Sequence, residues 1–351
     1  MDAPSVIALT YHDDLKEVQG DRQLRALIDG QAATPFDRTD WWSGLAQDCG
    51  LAPLLAVARQ GDQALVLPLA RGSGRGHLGA LANWYTFRVA PVATPGADRQ
   101  ALLSALARGL ARRAGRIELA PLPDENGEAS AIASAFRAAG WWVRRQECDT
   151  NHVLNLNGRD YAAYLAGRPG PLRTTLKRKG KKALCTVHTH WSDAAWADYE
   201  AVYAASWKTA EGSPAFLARF ARQEAAAGRL RLGIARAADN PQGPAIAAQL
   251  WTIEGGTAFI HKLAYDEAAK PLSPGTSLSA ALFAHVIDVD HVASVDFGTG
   301  DDPYKRDWME EQRPRYRLDM IRLDRPGQWP RLMGLAMRAL ARRLRDGVAR
   351  P

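Results

Sequence analysis

Three runs decide how this chain is read: Ala258-Phe259-Ile260-His261-Lys262-Leu263-Ala264-Tyr265-Asp266, then Leu272-Ser273-Pro274-Gly275-Thr276-Ser277-Leu278, then Val295-Asp296-Phe297-Gly298-Thr299-Gly300-Asp301-Asp302-Pro303-Tyr304-Lys305-Arg306-Asp307-Trp308. The first is an apolar, strand-like run over 257–265, and the second is a proline–glycine turn that opens a helix over 276–289. The third is a short strand over 293–297, followed by a polar turn and a helical turn near 304–309. Gly275 has no side chain to block an approaching group. The first N–H groups of the helix behind it are unpaired and carry the positive end of its dipole, which suits a phosphate or diphosphate. Thr276 and Ser277 add hydroxyl donors. Ser273-Pro274-Gly275-Thr276 also reads as an ordinary capped helix start.

Outward from this centre, helices are expected at 193–208 and 214–227, and strands at 229–236, 245–253 and 315–323. The first half runs in a similar order. A helix is expected near 40–49, strands at 53–59, 63–71 and 78–88, a helix at 98–114, a strand at 116–120, a helix at 128–139 and a long strand at 141–156. The junction Ala93-Thr94-Pro95-Gly96 answers Leu272-Ser273-Pro274-Gly275. The expected organisation is therefore a tandem: segment 1–156, segment 157–326, and a basic amphipathic helix over 327–351. In that last stretch Trp329, Leu332, Met333, Ala336, Leu340 and Leu344 share a face opposite Arg331, Arg338, Arg342 and Arg345. It packs on its own domain or makes a peripheral contact with an anionic membrane.

Length and composition fit two packed α/β units: 351 residues, 46% hydrophobic and 24% charged. No signal sequence and no membrane-length apolar run is present, and three scattered cysteines point to a reducing compartment, so a cytoplasmic location is expected. The net charge of +7 has a local source. Arg168, Arg173, Lys177, Arg178, Lys179, Lys181 and Lys182 follow one another with no acid between them. One concentrated basic element is a solvated helix face or a grip on one anionic partner. It lacks the interleaved aromatics that stack bases, so no DNA partner is expected. His188 and His190 lack a third ligand, so no metal is expected either. No nucleophile elbow, phosphate-binding Walker loop or dinucleotide fingerprint occurs.

The central runs, with Ala247-Ala248-Gln249-Leu250, Asp301-Asp302-Pro303-Tyr304-Lys305 and the basic Leu172-Arg173-Thr174-Thr175-Leu176-Lys177-Arg178, resemble the acetyltransferase domain of the GNAT superfamily. The similarity is to its cellulose-biosynthesis (CelD-like) branch, related to the FemAB aminoacyltransferases. It is clear over 168–308 and weaker in the first half. It implies two GNAT-like domains of the α/β (α+β) class, each with a mixed central sheet flanked by helices, the first one degenerate. It implies acetyl-CoA or another acyl-CoA as co-substrate, wedged along Lys262, Leu263, Ala264 and Tyr265, with its diphosphate at Ser273, Gly275, Thr276 and Ser277. Ser-Pro-Gly replaces the glycine-rich phosphate loop typical of GNAT enzymes, so the diphosphate site is inferred from position.

The chemistry then needs a base for the incoming nucleophile and an acid for the departing thiolate. Asp296 and Asp302 are the candidate bases, and Asp302 is equally the cap of the helix that Pro303 begins. Tyr304 stands where many GNAT enzymes keep a tyrosine acid. Arg173, Lys177, Arg178, Gln249 and Lys305 are the candidate substrate-binding residues. The first-half helix starts with Ala97-Asp98, whose carboxylate competes with phosphate, so that half is expected to shape the acceptor cleft without binding CoA. The expected activity is direct acyl transfer to a sugar, a glycan or another small polar acceptor, as in polysaccharide biosynthesis. FemAB-like transfer from aminoacyl-tRNA and a non-catalytic accessory role in exopolysaccharide assembly stay open beside it.

Overall fold

The computed structural model describes residues 6–328 and 333–334. The expected C-terminal helix over 327–351 lies almost wholly outside the described residues. The first half contains β1 (Ala8–His12), α1 (Leu15–Gly20), α2 (Arg22–Gly30), α3 (Thr39–Cys49), β2 (Pro53–Gln60), β3 (Gln63–Arg71), β4 (His77–Ala80) and β5 (Val92–Ala93). It continues through α4 (Arg99–Leu110), β6 (Arg116–Leu122), α5 (Glu128–Ala138) and β7 (Trp142–Asn155). Next come α6 (Tyr161–Ala166), α7 (Gly170–Lys179), β8 (Ala183–His188), α8 (Asp193–Ala204), α9 (Pro214–Ala226), β9 (Leu230–Ala237), β10 (Ala245–Glu254) and β11 (Thr257–Tyr265). The described chain closes with α10 (Pro274–Asp288), β12 (Ser294–Thr299), α11 (Pro303–Trp308) and β13 (Glu311–Ile321).

All the strands join one mixed sheet in the order β1-β2-β3-β4-β6-β13-β7-β12-β11-β10-β9-β8, with β5 beside β3. Two pairings make it continuous. The long β7 lies antiparallel to β13 from Trp142 to Val153, and its end, Asn151–Asn155, pairs with β12. The late strand β13 is inserted between β6 and β7, so the second sequence segment supplies a strand to the first. The 156/157 division therefore follows the order of the chain, while the sheet runs through it.

Alternate side chains of the strands enter different cores, as the two-residue period of a strand requires. Leu54, Ala56 and Ala58 of β2 join α4 and α5, and Ala247 and Trp251 of β10 join α6 and α10. On the other face Leu55, Val57, Ala248 and Leu250 share a single cluster with Trp41 and Trp42 of α3, Trp196 and Tyr199 of α8, and Phe216 and Phe220 of α9. Strands buried on both faces explain why β2 and β3 are nearly continuous apolar runs.

Two expected elements are shorter than read, and both differences reach the site. The expected strand 78–88 ends at Ala80, because Asn83 Oδ1 accepts the Tyr85 amide and Thr86 Oγ1 accepts that of Asn83, turning the chain out of the sheet. The expected helix 193–208 ends at Ala204, which releases Trp207 and Lys208 into a loop.

A buried ionic group fastens the halves where α3 begins. Arg38 Nη2 lies 2.5 Å from Glu224 Oε1, Arg229 Nε lies 2.9 Å from Glu224 Oε2, and Glu254 sits within 3.5 Å of both arginines. Glu224 is 1% exposed, so its charge is held there by the two guanidinium groups. Glu224→Gln leaves Glu254 as the one carboxylate facing both Arg38 and Arg229. It is expected to cost about 3–5 kcal/mol, read as a lowered urea midpoint with an unchanged folded spectrum.

Candidate active site

The site begins with a defect in strand pairing. β11 and β12 run parallel for three pairs only, Thr257↔Ser294, Ala258↔Val295 and Phe259↔Asp296, and then separate. At that point the β10–β11 register slips: Leu250 faces Lys262 but Trp251 faces Ile260, leaving His261 as the extra residue of a bulge. A bulge bends its strand away from the regular ladder. His261 donates to or accepts from Thr252 Oγ1 at 2.8 Å and is ringed by Phe36, Trp41, Phe87, Phe220 and Phe259. Burial lowers its pKa to about 3, helped by Arg38 and Lys262, so the imidazole is neutral at physiological pH.

On β12 the β7 register slips between Asp296 and Thr299, and Gly298 has φ +68°. A Cβ on Gly298 would lie 2.7 Å from the Phe87 ring, so the second wall of the gap needs glycine for both space and conformation.

The gap opens as a cleft of about 180 Å³ lined by Trp84, Phe87, Lys208, Ile260, His261, Lys262, Leu263, Phe297, Thr299, Asp302, Tyr304 and Lys305. Tyr304 is half-exposed, edge-on to Phe297 at 5.7 Å. Burial and the neighbouring Asp302 carboxylate hold its phenol well above the ordinary value, so it keeps its proton. Asp302 is exposed and occupies the cap position of α11, yet it makes no side-chain cap bond, so its carboxylate is open to the cleft.

Asp296 is placed differently. Both its oxygens accept from Asn151 Nδ2 at 3.1 Å and one accepts the Gly298 amide at 2.7 Å. Burial raises its pKa against those bonds and the nearby Arg315. It is not among the residues lining the cleft, and the geometry makes it a staple between β7 and the β12 turn.

A second cavity, of about 120 Å³, lies at the start of α10 between Tyr265, Lys270, Ser273, Pro274, Gly275 and Thr276. Ser273 is left-handed (φ 53°), Pro274 opens the helix, and no side chain caps it. Ser277 is nearly buried and turns its hydroxyl back to the Ser273 carbonyl at 3.3 Å. In the first half, by contrast, Asp98 caps α4 through the Ala101 amide at 2.9 Å.

Of the expected wedge residues, Leu263 lines the cleft and Tyr265 the α10 cavity, while Ala264 turns its methyl into the core. The Lys262 ammonium is paired with Glu211 at 2.9 Å.

The candidate substrate-binding residues are placed as follows. Gln249 is 1% exposed and donates to the Gly275 carbonyl (3.1 Å) and Ser279 Oγ (2.8 Å), while its oxygen accepts from Trp251 Nε1. It pins the start of α10 and is not open to an acceptor. Lys305 lines the cleft but is buried and donates to the carbonyls of Thr299 (2.6 Å) and Gly298 (3.3 Å), closing the β12–α11 turn. Arg173, Lys177 and Arg178 are exposed on α7 and line neither cavity; from the basic run it is Lys179 that arrives, donating to Ser273 Oγ at 3.1 Å.

The residues that sequence reasoning missed come from the two shortened elements. Tyr85 Oη donates to Glu211 Oε1 at 2.5 Å and accepts from the Ser213 amide. Trp84, 65% exposed, stands at the cleft mouth. Lys208 sits close to Lys262, and burial together with that cation lowers its pKa to about 8. Lys208 is therefore expected to titrate near pH 8 in a chemical-shift titration of its labelled ammonium, well below an ordinary lysine. Lys262→Met should move that midpoint upward.

Residues 170–306 match the family model described as the acetyltransferase (GNAT) domain. Solved structures with the same fold include FemX (TM-score 0.62, 10% identity, 92% of this chain and 99% of that one). L-PGS from Bacillus licheniformis superposes with a TM-score of 0.56 at 12% identity, over 92% and 97% of the two chains. A tandem GNAT protein from the clavulanic acid biosynthesis pathway gives 0.52 at 14%, over 89% and 98%. No curated protein matches the sequence. Residues 170–306 are thus similar to a GNAT acetyltransferase domain, and the chain has a tandem GNAT-like α/β fold.

Proposed function

We propose that this acyltransferase takes an acyl group from acyl-CoA, with acetyl-CoA as the simplest donor, and passes it directly to an amine or hydroxyl of a small acceptor bound at the same time. Sugars and glycans, as in polysaccharide biosynthesis, are the polar acceptors this reading includes. The observation that carries it is the parting of β11 from β12 beside an uncapped helix start.

The residues present fit the donor. Gly275, Thr276 and Lys270 line one small cavity at the uncapped helix start, and Lys179 is bonded to Ser273 in its wall, a set of donors and cations that suits a diphosphate. The edge of β11 beyond Phe259 has no β12 partner and can accept the amide groups of a pantetheine arm. When bound, acyl-CoA supplies an activated thioester: a carbon–nitrogen or carbon–oxygen bond forms to the acceptor as the carbon–sulfur bond breaks.

The remaining work is proton handling by the chain. An alkyl amine has an ordinary pKa of about 10 and arrives charged. The ammonium groups of Lys208 and Lys262 beside the cleft oppose that charge, and the open carboxylate of Asp302 accepts the proton through water. Tyr304, held in its protonated form, donates its phenol proton to the departing sulfur. Asp296, Lys305 and Gln249 fix the turn, strand and helix that carry these groups.

Gly275→Asp places a carboxylate against the α10 amides, and even its Cβ meets the Tyr265 ring at 3.2 Å. Acetyl-CoA affinity should fall by about tenfold or more in calorimetry, with Gly275→Ala less affected. Binding as tight as in the unaltered protein would sink the donor assignment. Tyr304→Phe is expected to keep acetyl-CoA affinity and lose about a hundredfold in turnover, measured as thiol release. Failure of the unaltered protein to bind any thioester would favour an accessory role.

A further inference from the structure

The first half holds a hollow of about 370 Å³ that acyl transfer does not use. Three connections meet there: the 72–76 turn before β4, the 111–115 segment between α4 and β6, and the exit from β13 at 325–327. Backbone bonds tie them together. The Gly115 and Arg116 amides donate to the Gly76 carbonyl at 2.8 and 3.2 Å, and the Arg322 amide donates to the Gly115 carbonyl at 2.9 Å. Gly76, Ala114 and Gly115 give the hollow a floor without long side chains. Around it stand Arg75, Arg112, Arg113 and Arg325.

Among the described residues no carboxylate lines this hollow. The arginines just outside it are neutralised, Arg116 by Glu118 and Asp319, and Arg322 by Asp324. The four that line it are not. Arg113 lies over the Tyr11 ring at 3.9 Å, and Arg325 donates to the Ala111 carbonyl at 3.3 Å. Among the described residues neither Arg75 nor Arg112 has a hydrogen-bond or ion-pair partner, and both are exposed. An arginine behind a helix ordinarily serves the last carbonyls, as Arg325 does for α4. That helix end carries only about half a negative charge, against four full positive ones. The excess is left for an anion to offset.

We propose that this hollow binds a phosphate-bearing anion, at a site separate from that of the acyl donor. Guanidinium groups present forked pairs of N–H donors that match phosphoryl oxygens. A phosphomonoester offers three such oxygens and about two negative charges at neutral pH, so several forks engage it at once. A lone carboxylate has too few oxygens to occupy four. The volume suits a phosphorylated small molecule or the head group of an anionic lipid. The site is remote from the chemistry. β6 begins beside the hollow, and Ala120 and Pro121 near its other end share a cavity with Trp84, at the cleft mouth. That length of strand spans roughly 15–20 Å. The anion is held at the opposite end of the first half, and the cleft stays open.

The test uses the full chain and two probes, inorganic pyrophosphate and vesicles of phosphatidylglycerol, with phosphatidylcholine vesicles as the neutral reference. Pyrophosphate is titrated while the arginine Nε–H resonances are followed, since these report on the hollow and not on the α10 cavity. The signals that move are expected to include those lost on replacing Arg75 and Arg112. The double variant Arg75→Gln with Arg112→Gln should weaken the bound probe by about tenfold or more, and leave acetyl-CoA affinity unchanged. Arg173→Gln with Arg178→Gln removes the same charge from α7 and should have no such effect. Capture by phosphatidylglycerol vesicles that the Arg75/Arg112 variant loses assigns the anion to a lipid head group. Pyrophosphate binding without that capture assigns it to a soluble phosphate ester. The proposal is overturned if neither probe binds, if the Arg75/Arg112 variant binds as the unaltered chain does, or if the α7 variant loses as much.

Discussion

Two neighbouring strands that stop pairing set the terms for everything else in this molecule. β11 and β12 share three residue pairs and then part, forced apart by the bulge at His261 on one side and the left-handed Gly298 on the other. A sheet interior normally tolerates no such break, because each unpaired backbone group loses its partner. Here the break is supported from outside. His261 is wedged among aromatic rings from both halves, and Phe87 presses on Gly298. The gap is therefore braced by side chains of both halves.

That support makes the first half more than an appendage. Tyr85 and Phe87 leave the first-half sheet early and reach across to Glu211, Ser213 and the β12 wall. The Arg38–Glu224–Arg229–Glu254 group, the shared aromatic core and the through-running strands β7 and β13 hold the same boundary elsewhere. Asp98 caps α4, the first-half counterpart of α10, whereas no side chain caps α10. The contribution of the first half is to hold the second half's cleft in shape and to wall one side of it.

Much of this was legible in the residues. The period-two runs, the Ser-Pro-Gly turn and the tandem order gave the strand–helix–strand centre, and Tyr304 with Asp302 came to the cleft together. What escaped reading was non-local. Gln249, Lys305 and Asp296 sit in motifs that look chemical, but burial turns their hydrogen bonds inward, and no local pattern distinguishes a polar side chain that holds a turn from one that meets a substrate. Lys208 was hidden because a helical pattern runs past Ala204, where the helix in fact stops. The site of β13 depends on a partner almost two hundred residues upstream, at β6, and no periodicity encodes that.

The insertion of β13 has a consequence for how the molecule comes into being. A chain emerging from the ribosome exposes β6 and β7 long before residues 311–321 exist, so both strands wait with an edge that a foreign strand can claim. Most two-unit proteins let the leading unit settle during translation. This one withholds closure of its leading unit until its trailing strand has been made, which ties the completion of both halves to a single late event.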